Sequence, residues 1–138
     1  MNPLGPDDPR LELLGKVGYD ASLAGLGLRS LEEGRAELTL EVGEAVQNMV
    51  GTLHGGAIAT LVDVAGTLAI LSADAEGRPG VTTDLNVSYF RAARAGERVQ
   101  AKARVLKLGR TLAFVSVAVE REDGALLAEG RMTKFLGA

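Results

Sequence analysis

The stretch NMVGTLHGGAIATLVDVAGTLAI, from Asn48 to Ile70, decides how this chain is read. From Gly56 to Ala73 apolar residues occupy nearly every side of a 3.6-residue period, the pattern of a helix buried all round. At about 1.5 Å per residue such a helix spans roughly 27 Å. One carboxylate, Asp63, interrupts its apolar surface. The only histidine, His54, stands just before it, followed by Gly55 and Gly56.

Outward from the helix, the chain reads as strands. Leu26–Leu31 and Arg35–Val42 flank the turn EEG and form a hairpin. In the second arm Ala36, Leu38, Leu40 and Val42 alternate with Arg35, Glu37, Thr39 and Glu41. After the helix, VTTDLNVSYF places Val81, Leu85, Val87 and Tyr89 against Thr82, Asp84, Asn86 and Ser88. RVQAKARVLKL alternates as well. TLAFVSVAVE is apolar on both faces, which implies that another subunit covers part of its outer face. The turn EDG leads to a last strand, Ala125–Phe135. Pro9–Gly15 and Asp20–Gly25 read as short helical turns, and 1–9, with three prolines, as a loose tail. Strands joined by tight turns are antiparallel, and a one-sided apolar sheet needs a cover. The expected fold is α+β: one domain over 1–138, with an antiparallel sheet curled around one central helix.

Composition narrows the function. Net charge is −3, so no global field draws the chain to nucleic acid or to an anionic membrane. The absence of cysteine excludes disulfides, thiolate metal sites and a cysteine nucleophile. The start lacks the basic and apolar regions of a signal peptide, and Ala57–Leu71 is too short to span a bilayer, so the expected setting is cytoplasmic. Gly-x-Ser-x-Gly, a Walker loop, His-Glu-x-x-His and a dinucleotide fingerprint are all missing. Catalysis has to come from carboxylate, amide, hydroxyl and backbone groups, with no metal and no organic cofactor expected.

Asp63 has two readings. It bonds a hydroxyl one turn away, on Thr60 or Thr67, or it is a base strengthened by burial. Gly55 and Gly56 are either a tight turn or an anion site, because the first N–H groups of a helix lack partners and its dipole is positive there. Seven residues separate Gly56 from Asp63, about 10 Å along one helix. A base and an oxyanion donor must both reach one carbon within about 3 Å. If both act, the site combines the glycines of one chain with Asp63 of another, and a two-fold dimer has two such sites.

The run N-x-x-G-T-L-H-G-G-A-x-A-T-L-V-D, continued by GVTTDLNVSYFRAARAGE, VLKLGRTLAF and AEGRMTK, resembles hotdog-fold acyl-CoA thioesterases. More narrowly it is similar to the phenylacetate-degradation (PaaI) type of the 4-hydroxybenzoyl-CoA thioesterase superfamily. The resemblance covers about Leu26 to Phe135. It implies a sheet wrapped around a central helix and hydrolysis of an acyl-CoA, aromatic or medium-chain, to free acid and CoA. It implies sites shared across a homodimer, often paired into a homotetramer. By the same resemblance Asp63 is base or nucleophile, Gly55 the backbone donor to the carbonyl, and Asn48 the amide that orients water or carbonyl. His54 supports the loop, and Thr82 holds the attacking water, with Thr83 as an adjacent alternative. Thr67 matches a polar position of some relatives.

CoA phosphates need cations. Arg91 and Arg94, with Lys107 and Arg110 around Gly109, sit at strand ends and are expected to form a local basic clamp, helped by Gly56 at the helix start. Two other readings remain: a hydratase or dehydratase using His54 as base, and a module that binds acyl-CoA without turnover.

Overall fold

The structure, a computed structural model, describes residues 3–137. One sheet of six antiparallel strands carries the fold, in the order β1-β2-β4-β5-β6-β3. The strands are β1 (Gly27–Glu32), β2 (Arg35–Glu41), β3 (Val81–Tyr89), β4 (Arg98–Leu108), β5 (Leu112–Arg121) and β6 (Leu126–Phe135). The helix α1 (Gly55–Ala73) lies across the concave face. This is the expected α+β hotdog arrangement.

Small residues let sheet and helix approach closely. On β6, Gly130 faces Val62, and a Cβ there would lie 2.6 Å from Val62 Cγ1 and 3.0 Å from Cγ2. Opposite Gly66, Met132 Cε would lie 2.6 Å from an added Cβ and Val115 Cγ1 2.9 Å. Val62 is β-branched on a fixed helix, so it cannot yield as a methionine can. Gly130→Ala is therefore expected to overpack the core and cost about 1–3 kcal/mol, read as a lowered denaturation midpoint with an unchanged m-value.

The structure corrects three expectations about the helices. By length and composition α1, with 19 residues, is long enough to cross a bilayer, but it is wrapped by this sheet. Nor is it buried all round: Gly56 is exposed, and Thr60, Asp63 and Thr67 on the same stripe are only half-buried. Residues four, three and four apart share one face, and that is the face the sheet leaves uncovered. The helical turns near the start are 3₁₀ and shifted, at Pro9–Leu13 and Gly18–Ser22. Asp8 caps the first, accepting from Arg10 N at 2.9 Å.

The start of the chain is not a loose tail where it is described. Leu4 is 5% exposed, and its N–H donates to Leu71 O at 2.9 Å, so one apolar side chain and one backbone bond dock it on the end of α1. Met1 and Asn2, part of the expected tail, lie outside the described residues.

Strand β3 is an edge, paired only with β6, and it shifts register between Thr82 and Asp84. Leu85, Val87 and Tyr89 lie opposite Met132, Gly130 and Ala128, the inner residues of β6. Strict alternation would put Thr82 on the outer face with Asp84. The extra residue, Thr83, reverses the parity, as a bulge does, and Thr82 comes to lie inside, opposite Lys134.

Candidate active site

The site follows the open stripe of α1. Thr60 Oγ1 donates to Gly56 O at 2.8 Å and Thr67 Oγ1 to Asp63 O at 2.7 Å. Both hydroxyls thus bond the carbonyl one turn back and leave the Asp63 carboxylate alone. Its partner comes from the sheet: Thr82 Oγ1 donates to Asp63 Oδ1 at 2.9 Å. Thr83, the adjacent alternative, points away and donates to Thr133 O at 3.2 Å. Asp63 is half-buried, so its carboxylate reaches the uncovered face.

At the start of α1, His54 is the N-cap. Its Nδ1 accepts from Gly56 N at 2.8 Å. The Gly56 N–H is therefore engaged, and of the two expected donors only Gly55 remains: among the described residues nothing accepts from its N–H. The Gly55 carbonyl is held from the other side, by Tyr89 Oη donating at 2.7 Å. An added Cβ at Gly56 would lie 2.9 Å from His54 Nδ1 and 3.1 Å from Cε1. Glycine at 56 thus makes room for the cap. Gly56→Ala is expected to displace the imidazole and cost roughly 1 kcal/mol, the usual worth of an N-cap, visible as a lowered melting temperature. With Nδ1 accepting, the proton of a neutral imidazole sits on Nε2, and His54 has no lone pair left with which to act as base.

Asn48 shapes the loop before the helix. Its Oδ1 accepts from Val50 N and Thr52 N, both at 3.0 Å, and Nδ2 donates to Thr52 Oγ1 at 2.7 Å. One Nδ2 hydrogen remains for a ligand. Met49 and Val50, 103% and 81% exposed, give this loop an apolar tip along a cleft that also touches Gln47, Asn48 and His54.

The basic residues do not form one clamp. Arg91 and Arg94 stand at the helix-start end, where Leu53 N donates to Ala93 O at 2.8 Å and Thr52 bridges Arg94. Arg91 Nη1 donates to Leu126 O at 2.9 Å, and Arg94 N to Glu97 Oε1 at 2.6 Å. Lys107, at the end of β4, and Gly109 and Arg110, in the β4–β5 turn, lie at the opposite end. There Arg110 O accepts from Arg78, which pairs with Asp74 at the end of α1. The ends of a 19-residue helix are about 28 Å apart, so in one chain these two groups cannot hold the same phosphates. Gly109 closes its turn, donating to Leu112 O at 2.8 Å.

Three residues near the site went unread in the sequence. Tyr89 was visible only as an apolar alternation. Lys134 is 6% exposed and sits on the inner face of β6. Its burial pushes its ammonium below the usual lysine range, while the charges of Asp63 and Asp20 pull it back up. Asp20, in the Gly18–Ser22 turn, is raised above the ordinary carboxylate range by burial and by the Asp63 charge, with Lys134 opposing. The one local signal for Lys134 was parity, since it continues the inward series Ala128, Gly130, Met132.

Asp63 and Gly55 are separated by eight residues of continuous helix, about 12 Å. Each chain therefore presents two separate groups, an acid with its hydroxyl and a free amide N–H beside an aromatic hydroxyl.

Comparison with known proteins points to one chemistry. A family model described as the thioesterase superfamily matches residues 50–128, which include His54, Gly55, Asp63 and Thr82. Acyl-coenzyme A thioesterase 13 of Homo sapiens is 42% identical over 120 residues, 86% of this chain and 85% of that protein. The crystal structure of zebra fish thioesterase superfamily member 2 superposes with a TM-score of 0.88 at 40% identity, covering 93% of this chain and 94% of that one. The crystal structure of smu.793 from Streptococcus mutans bound to acetyl CoA superposes with a TM-score of 0.79 at 26% identity, covering 91% and 96%.

Proposed function

The chain belongs to the thioesterase superfamily, and on that premise we propose that it hydrolyses acyl-CoA thioesters to a carboxylic acid and free CoA. The observation that carries this is the Asp63 carboxylate, open on the central helix and held at Oδ1 by Thr82 at 2.9 Å. Thr82 spends its hydrogen on Asp63, so its lone pairs can accept from a water. Asp63 Oδ2 is left to accept the same water's other hydrogen. The water's oxygen is then aimed at the thioester carbon, and Asp63 takes its proton as attack proceeds. Charge develops on the carbonyl oxygen, and the Gly55 N–H, backed by the helix dipole, meets it; as the adduct collapses the C–S bond breaks and the proton held by Asp63 passes to the leaving CoA thiolate. The free Nδ2 hydrogen of Asn48 orients the carbonyl. Hydrolysis on these terms needs no metal and no organic cofactor.

The two half-sites meet if two chains pair, Gly55 of one facing Asp63 of the other. Support comes from the edge strand β3, whose Val81, Leu85 and Tyr89 are 66%, 39% and 51% exposed. Pairing of the dimers into a tetramer is supported by a row on the outer face, where Val81, Phe135 and Leu112 are cross-strand neighbours and all exposed. Of the cations, Arg91 and Arg94 share the helix-start end with Gly55 and are the ones placed to meet CoA phosphates. Lys107 and Arg110 would serve only from a partner. The setting we propose is cytoplasmic.

The acyl group we propose is apolar, aryl-acetyl of the phenylacetate type or medium-chain, because Met49 and Val50 offer apolar surface beside His54. Release of free thiol from a panel of acetyl-, hexanoyl-, octanoyl-, phenylacetyl- and hydroxyphenylacetyl-CoA tests the proposal. Turnover of an apolar acyl-CoA supports it, and an inert protein across the panel that still binds CoA would make this a binding module. A hydratase would add water to a 2-enoyl-CoA, and the occupied Nδ1 of His54 speaks against that reading.

A further inference from the structure

Nothing inside one chain requires glycine at position 55. Its φ is not positive, and an added Cβ would meet only the Tyr89 ring and hydroxyl, at 3.6 and 3.7 Å. Leaving the side chain out opens the helix start to a ligand, but it also frees the backbone. Gly55 and Gly56 stand together where no preceding turn holds them, and glycine is the most mobile of residues. An oxyanion donor works only if its direction is fixed before the substrate arrives. The rigidity has to come from elsewhere.

Three hydrogen bonds supply it. The free Gly55 N–H belongs to the His54–Gly55 peptide, whose carbonyl accepts from Ile58 N at 3.1 Å. The next peptide, Gly55–Gly56, is held at both ends. Its N–H donates to His54 Nδ1 at 2.8 Å, and its carbonyl accepts from Tyr89 Oη at 2.7 Å. Peptides are planar, so fixing the two that meet at the Gly55 Cα fixes both torsions there, and with them the aim of the free N–H. His54 reaches in from the helix's own start. Tyr89 is the one partner that comes from the sheet, at the end of β3. That end is itself anchored: Tyr89 lies opposite the buried Ala128, and Phe90 N donates to Leu127 O at 2.7 Å. The same strand carries Thr82, which holds Asp63. One edge strand thus ties down both reacting groups of α1.

We propose that Tyr89 is a positioning residue for the Gly55 N–H: its phenol, bonded to the Gly55 carbonyl, locks the start of α1 in the orientation that meets the developing oxyanion. Its ring and its hydroxyl have separable duties. The ring stands beside Gly55, and only the hydroxyl bonds it.

The inference rests on the thioesterase reading, and the test separates the two. kcat and KM for phenylacetyl- and octanoyl-CoA are measured on the full chain and on Tyr89→Phe, Gly55→Pro and the double variant. Tyr89→Phe keeps the ring and loses the bond. It is expected to lower kcat roughly three- to tenfold, the worth of one neutral hydrogen bond, with KM unchanged. In the Gly55→Pro background the same substitution is expected to cost nothing more, because the N–H it aims is already gone. A tyrosine that only packs would tolerate phenylalanine. One that touches substrate, or steadies the chain at large, would cost the same in both backgrounds. Wild-type kcat in Tyr89→Phe, an effect confined to KM, or equal losses in the two backgrounds each overturn the inference. If Gly55→Pro does not fold, the infrared carbonyl stretch of phenylacetyl-CoA bound to Asp63→Asn decides. Adding Tyr89→Phe should move that stretch back toward its value in water, and an unmoved stretch overturns the inference. An inert wild type would overturn the thioesterase reading and this inference with it, whereas an active wild type matched by Tyr89→Phe overturns this inference alone.

Discussion

Asp63→Asn is expected to abolish turnover while leaving the fold intact, with kcat down by roughly 10²–10⁴, the usual worth of a general base. The substitution is nearly isosteric. The amide oxygen can still accept from Thr82, which now donates to Asp63 Oδ1 at 2.9 Å. What it cannot do is accept a proton from water at neutral pH. Asp63 is half-buried rather than sealed in the core, so losing its charge does not strand it in an apolar pocket. The thermal midpoint should therefore change by only a few degrees, and KM should hold, because the residues proposed to hold CoA lie elsewhere. Thiol release and a melting curve on the same preparation check both halves. Residual kcat above about a tenth of wild type would mean that the acid is not the base.

The second large effect concerns where the site is built. Gly55→Pro removes the helix-start N–H proposed to meet the carbonyl oxygen, for which no acceptor is found among the described residues. Proline suits the first position of a helix, where its missing N–H breaks no helical bond. The preceding residue, His54, is extended (φ −62°, ψ 134°), as a residue before proline must be. An added Cβ at Gly55 would meet the Tyr89 ring at 3.6 Å, an ordinary contact. The helix should form, and kcat should fall roughly 10²–10³-fold, the cost of one oxyanion donor. Two inactive variants can then be mixed by co-expression. In a hybrid dimer the Asp63→Asn chain supplies an intact Gly55 and the Gly55→Pro chain an intact Asp63. One of its two sites is whole, and random pairing makes about half of all dimers hybrids. Activity should return to about a quarter of wild type. If each site lay within one chain, the mixture would stay inactive, since every chain carries a defect.

Much of the fold could be read from neighbouring residues. The strands were legible because alternation and turn chemistry are local. The helix was legible because its apolar run has no strand period and is opened by glycines. Its open stripe was harder to see. Asp63 and the two threonines mark it, but alanines fill the rest, and alanine is equally at home buried or exposed. The docking of Leu4 had no local signature at all, since one leucine among prolines and aspartates looks like a tail until α1 offers it a place.

In the site, His54, Gly55 and Asp63 were legible because a histidine, a glycine pair and an acid on one helix have few other uses together. The partner of Asp63 was another matter. A local reading offered Thr60 and Thr67, whose hydroxyls turned back on their own helix. The bulge at Thr83 gave the place to Thr82. Gly56 looked like a second donor and proved to be the space that a histidine cap requires.

The sequence by itself determined the elements, their antiparallel pairing and the stretch that bears the chemistry, because periodicity, turn residues and helix starts act between near neighbours. Tertiary structure alone decided which hydroxyl meets the acid, that Lys134 of the last strand lies across from Thr82, which bears that hydroxyl, and that the basic residues divide between opposite ends. Those outcomes depend on one extra residue in a strand and on the order in which strands far apart in the chain pair across the sheet, and no local pattern encodes either.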